Sequence, residues 1–382
     1  MNAEMKTVLL VDDEPANIQI VKSILKDTYK TRIATNGAKA LELASQVPVP
    51  DLILLDVMMP EMDGYEVCSR LKLADHTREI PVIFLTGQTN SDDETKGFDV
   101  GAVDYIHKPF SPAVVRARVR THLALRGIRE QLASQLQTIQ CEMDTARQIQ
   151  LSILPREIPA IEGLDIAARY IPMTSVAGDF YDFIVIDDKR IGILIADVSG
   201  HGMPAALISS MLKIALDGQI GCASEPAQVL AGLNKALCGK FQGHFVTAAY
   251  ILIDTEKQSL SYAGAGHPPL ILRDQSAAAT REFVENGLFL GYFPEATYTA
   301  VELPFKTGDW CVLYTDGIPE TTNLSDEQFG VGRFKDFLEN NHDLSPGKFV
   351  DRFLDELSRW SGGASREPED DITLLAIHFK DR

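Results

Sequence analysis

No run in the 382 residues approaches the roughly 18–20 consecutive apolar positions that a membrane-spanning helix needs, so no membrane partner is expected. The opening MNAEMKTVLLVDDEP has neither a basic start nor a small-residue cleavage site, which argues against a secretory leader. Cysteine is sparse: Cys68, Cys141, Cys222, Cys238 and Cys311 are odd in number, scattered and never in CxxC pairs. A disulfide framework and a structural zinc site are therefore not expected, and a reducing, cytoplasmic setting is. Basic charge is also short, with 36 Lys and Arg against 54 Asp and Glu and a net charge of −18. Such a surface repels phosphate backbones, so no nucleic-acid partner is expected, and its plainest consequence is solubility. Internal repeats and low-complexity tracts are missing too, and the length predicts two or three domains.

What the chain does have is aspartate at the ends of apolar runs: VLLVDD (Asp12, Asp13), LILLD (Asp56), ILIAD (Asp197) and VLYTD (Asp316). Extending a buried strand into a naked carboxylate costs several kcal/mol, so each acid belongs where water, a cation or a phosphate can reach it. Two endings fall in the first third of the chain and two in the rest, which predicts two sites, each built around a hard cation.

Residues 6 to about 122 alternate short apolar runs with helical stretches. Strands are predicted at 7–11, 31–34, 52–56, 82–86 and 103–106, and helices at 15–27, 37–46, 64–73, 91–99 and 112–122. This pattern implies an α/β, doubly wound, five-stranded parallel sheet, with ligands at the carboxyl ends of its strands. From 123 to 155 a heptad seam predicts a coiled coil. Leu125, Leu132, Ile139, Ala146 and Ile153 take one core position, and Arg129, Leu136, Met143 and Gln150 the other. A continuous helix over 112–154 would span on the order of 60 Å, and a homodimer through the coil is expected. From 156 to 382 strands are predicted at 165–171, 191–197, 246–253, 259–263, 269–273, 310–315 and 372–379. Helices are predicted in pairs at 203–217 with 226–238 and at 331–340 with 346–360. Grouping of this kind implies α+β layers, an α-β-β-α sandwich.

In the first region Asp12 and Asp13 end one strand and Asp56 another, and adjacent carboxylates repel unless a cation holds them. Mg²⁺ suits such a site because it keeps several waters and needs few protein ligands. Lys108 and Thr86 fall at neighbouring strand ends, so the set reads as a phosphoryl-transfer site with Asp56 as nucleophile. VDDEP, LLDVMMPEMDGYEV, FLTG and DYIHKPF, at these spacings over residues 5–122, resemble a response-regulator receiver domain. The resemblance implies that Asp56 accepts a phosphoryl group from a histidine kinase. It also implies that Asp12, Asp13, Asp56 and the Met58 carbonyl hold Mg²⁺, that Thr86 and Tyr105 form the switch pair, and that Lys108, before a cis Pro109, is the charge partner.

The second region carries AGDFYDF (Asp179, Asp182), IADVSGHGMPAA (Asp197), YTDGIPE (Asp316) and EDDITLL (Asp370, Asp371). Carboxylates without His or Cys favour two Mn²⁺ or Mg²⁺ ions over zinc, and a pair of such ions activates water for in-line attack on phosphorus. These motifs, with ARQIQLSILP and GAGHPP, resemble metal-dependent protein serine/threonine phosphatases of the 2C type, in the SpoIIE/RsbU-like branch. The resemblance implies that Asp197, Asp316 and Asp370 carry catalysis and that Asp179 and the Val198 carbonyl complete the metal shell. The substrate it implies is a phosphorylated anti-sigma-factor antagonist. His201, His267, Asp182 and Asp371 sit in motifs without an assigned role; Asp182 could be a supporting group or a third-metal ligand. Cys141 and Arg147 have C-x5-R spacing, but EMDTA between them is no glycine-rich phosphate loop.

Two functions of different classes fit these motifs. One is a response regulator whose Asp56 phosphorylation controls a phosphatase. The other is a non-catalytic adaptor that sequesters a regulator under receiver control. Retention of every metal aspartate favours the enzyme.

Overall fold

A computed structural model describes residues 5–381 apart from 88–90, 242, 285, 364, 365 and 367. Its contacts divide into two units, Met1–Ile139 and Gln140–Arg382.

The first unit contains β1 (Thr7–Val11), α1 (Pro15–Leu25), β2 (Lys30–Ala34), α2 (Gly37–Ser45), β3 (Leu52–Asp56), α3 (Gly64–Leu73), β4 (Val82–Thr86), α4 (Ser91–Asp99) and β5 (Asp104–His107), and α5 (Pro112–Ile153) begins in it. The sheet order is β2-β1-β3-β4-β5, with all pairings parallel. Strands covered on both faces need apolar residues throughout, and in β3 all five residues are buried. One face packs on Ala40, Ala44, Val67, Cys68 and Leu71 of α2 and α3. The other packs on Val21, Ile24 and Leu25 of α1 and on Val115 and Val119 of α5. Asp63 caps α3 by accepting from Glu66 N at 2.8 Å, so the chain leaving Asp56 turns sharply into a helix. Lys108–Pro109 is cis, and so is Val47–Pro48, which nothing in the sequence flags.

The second unit contains β6 (Leu164–Ile171), β7 (Phe180–Val185), β8 (Arg190–Val198), α6 (Met203–Asp217), α7 (Pro226–Leu237), β9 (Val246–Asp254), β10 (Ser259–Ala265), β11 (Leu270–Asp274), β12 (Ala279–Phe283), β13 (Asn286–Gly287), β14 (Val301–Pro304), β15 (Trp310–Tyr314), α8 (Gly317–Glu320), α9 (Gly330–Asn341), α10 (Pro346–Ser361) and β16 (Ile372–Phe379). One sheet runs β13-β10-β9-β8-β7, with β14 also on β10; the other runs β12-β11-β15-β16-β6. A single core cluster joins residues of β8, β9 and β10 to Leu313, Leu375 and Ile377 of the second sheet and to Leu212 and Leu233 of α6 and α7. A second cluster packs Phe334, Phe349 and Phe353 of α9 and α10 against Trp310, Val312 and Leu374.

The sequence pattern does not predict β7, β12, β13, β14 or α8; the continuous helix expected over 112–154 is present as α5, which runs to Ile153. The last positions of the predicted seam are not free to pair. Leu125, Leu132, Leu136 and Ile139 are about half exposed, as the seam requires, but Gln150 is 5% exposed. Its side chain turns into the second unit, and Ile153 packs on that unit's core. No helix among the described residues is long and apolar enough to cross a membrane.

Candidate active sites

In the first unit Asp12 and Asp13 follow β1 and Asp56 closes β3, because parallel pairing brings Val11 beside Leu55. The three carboxylates offer ligand atoms within 4.8 Å of one another, a spacing that one hard cation can bridge. Lys108 Nζ lies 2.8 Å from Asp56 Oδ2 and 3.0 Å from Asp12 Oδ2. Asp12 Oδ1 accepts from Glu14 N at 2.9 Å, which fixes its other oxygen toward the lysine. Burial raises the Asp56 pKa and Asp12 adds to that, while the bond from Lys108 works against it. Burial also opposes the Lys108 charge, but its bonds to Asp56 and Asp12 outweigh that and hold its pKa above the ordinary lysine value. Thr86 ends β4, 5% exposed, and Tyr105 is buried, edge-on to Phe98 at 5.2 Å. The Met58 side chain is exposed, and its backbone amide bonds toward Asp56.

In the second unit Asp197, Val198, Asp316 and Asp370 line one cleft of about 210 Å³, together with Met173, Ser199, Gly200, His201, Phe245, Thr247 and Glu369. Asp197 is the penultimate residue of β8, directly opposite Thr247 of β9. Asp316 starts α8 without spending its carboxylate on a cap. Gly317 must be glycine, since a Cβ there would stand 2.1 Å from the Asp371 carbonyl. Gly178 likewise allows the 177–179 segment to approach the Val198 carbonyl, 2.8 Å from where a Cβ would sit.

Burial, then Asp316 and Asp370, pushes the Asp197 carboxyl up to about 8. Burial, then Asp370 and Glu320, raises Asp316 to about 6. Carboxyls that resist ionisation because of one another are what a divalent cation relieves, so the donor set fits hard metal ions. Asp179 is fully enclosed and accepts from Thr315 Oγ1 at 2.8 Å and Thr373 Oγ1 at 2.5 Å. Its pKa is raised well above the ordinary value by burial and by Asp197.

The remaining motif residues fall outside the cleft lining or at its mouth. Asp371 accepts from Met173 N at 2.7 Å and Gly178 N at 2.6 Å, so it holds the loop carrying Asp179. Asp182 pairs with Lys213 at 2.7 Å. His201 is exposed at the cleft rim. His267 is 2% exposed, with Nδ1 3.1 Å from Thr247 Oγ1, and burial drops its pKa to about 3 against a Tyr314 backbone bond, so the ring is neutral.

Sequence reasoning missed Glu320, Glu369, Thr247, Thr315, Thr373 and Gln150. Glu320 lies four residues after Asp316 in the same motif, a one-turn spacing that is visible in the sequence. Thr315 and Thr373 announce nothing, because a strand hydroxyl has a role only once the facing strand is known.

The folds and the two acidic sites define a receiver domain followed by a phosphatase domain of the PP2C type. The family model "Stage II sporulation protein E (SpoIIE)" matches residues 187–380, and "Response regulator receiver domain" matches 8–120. The chain belongs to the SpoIIE family, with a receiver domain ahead of the phosphatase domain. It is 34% identical to phosphoserine phosphatase RsbU of Bacillus subtilis over 262 residues, 68% of this chain and 74% of that protein. It is 45% identical to a probable cyclic di-GMP phosphodiesterase of Vibrio cholerae over 137 residues, 36% of this chain and 31% of that protein. The solved SiaA-PP2C domain of Pseudomonas aeruginosa superposes with a TM-score of 0.59 at 25% identity, covering 65% of this chain and all of that domain.

Proposed function

We propose that the chain is a response regulator whose phosphorylation at Asp56 controls a metal-dependent phosphoserine/phosphothreonine protein phosphatase. The observation that carries the reading is the convergence of Asp197, Asp316 and Asp370 on one cleft, where burial and then neighbouring carboxylates raise Asp197 and Asp316. In this reading Asp197, Asp316 and Asp370, with Asp179 and the Val198 carbonyl, hold two Mn²⁺ or Mg²⁺ ions, which when bound supply Lewis acidity and an activated water. Asp371 positions the Asp179 loop. In the receiver, Asp12, Asp13, Asp56 and the Met58 carbonyl hold Mg²⁺, Lys108 balances the charge on Asp56, and Thr86 with Tyr105 responds to phosphorylation. The phosphodonor is a histidine kinase and the substrate a phosphorylated anti-sigma-factor antagonist; RsbU, a relative matched over 68% of this chain, is a phosphoserine phosphatase.

We read the domains as receiver 1–122, signalling helix 123–155 and phosphatase 156–382, the last as an α-β-β-α sandwich. The exposed stripe Leu125, Ile128, Leu132, Leu136 and Ile139, spaced 3, 4, 4 and 3 apart, supports a homodimer through a coiled coil. The test is Mn²⁺-dependent release of phosphate from phosphoserine proteins by the purified chain. Asp197→Ala should remove nearly all turnover while leaving the melting transition in place. Turnover that survives Asp197→Ala sinks the assignment.

A further inference from the structure

Beside the cleft of the second unit stands a wall of aromatic rings that the chemistry above does not use. Phe245 lines the cleft and packs on Phe289, with centroids 4.4 Å apart and the rings tilted by 38°. Phe289 contacts Tyr292 at 5.9 Å and Phe293 at 5.4 Å, and these two touch at 4.9 Å. Tyr292 is 56% exposed, Phe293 36% and neighbouring Leu288 50%. A contiguous apolar patch of this kind on a soluble domain marks a contact surface.

The wall is held in place from behind. Leu290, between the rings, is fully buried, and its backbone pairs both ways with Val246 at 2.8 and 3.1 Å. Asn234, 2% exposed, donates to the Phe293 carbonyl at 2.8 Å and accepts from Gly291 N at 2.8 Å. Gly291 takes φ 89°, and a Cβ there would meet the Phe241 ring at 2.3 Å, so no other residue fits. A buried amide and an obligatory glycine thus fix a segment that shows Tyr292 and Phe293 to water. Preorganisation of that sort lowers the entropy lost when a partner docks.

We propose that Phe245, Phe289, Tyr292 and Phe293 dock an apolar side chain flanking the phosphorylated serine or threonine of a protein substrate. The inference rests on the phosphatase reading above. Continuity and charge identify the occupant. Phe245 belongs to both cleft and wall, so a chain with its phosphoryl group in the cleft runs over the rings within a few residues. The cleft has room for little beyond that group, and Glu369 and the aspartates around it disfavour acidic flanks. Affinity for a peptide must then come from apolar contact, and buried aromatic anchors are where such affinity concentrates.

The experiment uses the full chain with Mn²⁺ and three substrates. These are phosphoserine itself and two phosphoserine peptides identical except for leucine or glycine at the flanking positions. The native chain should prefer the leucine peptide by about tenfold in kcat/KM, through KM. The double variant Tyr292→Ala, Phe293→Ala should bring that preference close to one while its rate on phosphoserine changes little. Tyr292→Leu, which keeps apolar surface, should retain part of it. Equal use of both peptides by the native chain overturns the proposal, and so does a parallel loss on phosphoserine and the leucine peptide. A changed molar mass of the double variant in light scattering would assign the wall to a contact between copies and overturn it as well. Failure of the underlying phosphatase reading would look different: no Mn²⁺-dependent turnover of any substrate by the native chain, which removes the proposal with it.

Discussion

Lys108 sits between two carboxylates, Asp12 and Asp56, that are 2% and 6% exposed at the side chain. Replacing it with methionine leaves them facing each other without a counter-charge. Because Lys108 is itself 23% exposed, water softens the loss; the expected cost is about 1–3 kcal/mol of receiver stability. Millimolar Mg²⁺ should return most of it, since a cation held by the same carboxylates does the lysine's electrostatic work. Chemical denaturation with and without Mg²⁺ checks this, and a loss that ignores Mg²⁺ would count against the ion. In the phosphatase domain Asp197 and Asp316 ionise at about 8 and about 6. Both lie above the ordinary aspartate value, so the folded, metal-free domain holds more protons than the unfolded chain. Their contribution is full in acid and is lost as pH rises toward 8. In EDTA the melting temperature should therefore fall between about pH 5 and pH 8.5, and Mn²⁺ should remove or reverse that slope. Parallel melting curves with and without Mn²⁺ would rule it out. At this scale the aspartates were legible because a charge ending an apolar run is anomalous in one dimension. Choosing between Asp370 and Asp371 was not derivable from residue type. What separates them is which one meets the amides of Met173 and Gly178, nearly two hundred residues away.

Among the elements, strands buried on both faces and several helices were legible: β1, β3, β4, α3, α4 and α6 lie where the sequence predicts them. Those that escape the sequence share a reason. β12, ATREF, is an edge strand with two exposed residues and no buried face to set a period-two pattern. β7, FYDFIV, reads in sequence as part of a metal loop, because Asp179 just before it and Asp182 within it mask the alternation of Phe180, Asp182 and Ile184. The last turn of α5 is the instructive miss. A glutamine in a heptad slot reads as a weak coiled-coil position. Here the Gln150 amide donates to the Ala177 carbonyl at 2.5 Å and to Ser209 Oγ at 3.1 Å, and accepts from Ala177 N at 3.0 Å. It thereby ties the helix end to the segment that carries Gly178 and Asp179. Gln150→Ala would strand both backbone groups of Ala177, at a cost of about 2–3 kcal/mol. Both tryptophans, Trp310 and Trp360, lie in this unit, so their fluorescence during urea unfolding reports the loss directly. The variant should also need more Mn²⁺ for half-maximal activity, because the loop bearing Asp179 is less fixed. An unchanged Mn²⁺ requirement would confine Gln150 to a packing role.

For the molecule as a whole, the matter is how one acidic site reaches the other. A single helix of 42 residues, Pro112–Ile153, begins on the receiver core through Val115 and Val119 and ends at Gln150 in the phosphatase unit. Between these anchors it shows water a stripe of Leu and Ile that costs free energy unless a second helix covers it. If two copies pair along the stripe, the angular position of Gln150 is locked to that of the receiver through the seam. Phosphorylation would then act by shifting the pairing. Changing the length of α5 between Leu136 and Gln137 tests this directly. Seven inserted residues add about two helical turns and keep the seam in phase, whereas two inserted residues rotate the downstream half of the helix by about 200°. The heptad insertion should preserve both the dimer and the response of phosphatase activity to beryllofluoride at Asp56. The two-residue insertion should leave basal turnover on phosphoserine but abolish the response. Leu132→Lys with Leu136→Lys should give a monomer by sedimentation and lose the response in the same way. If all three proteins answer beryllofluoride like the native chain, the helix is a tether, and control of the phosphatase must pass by another route.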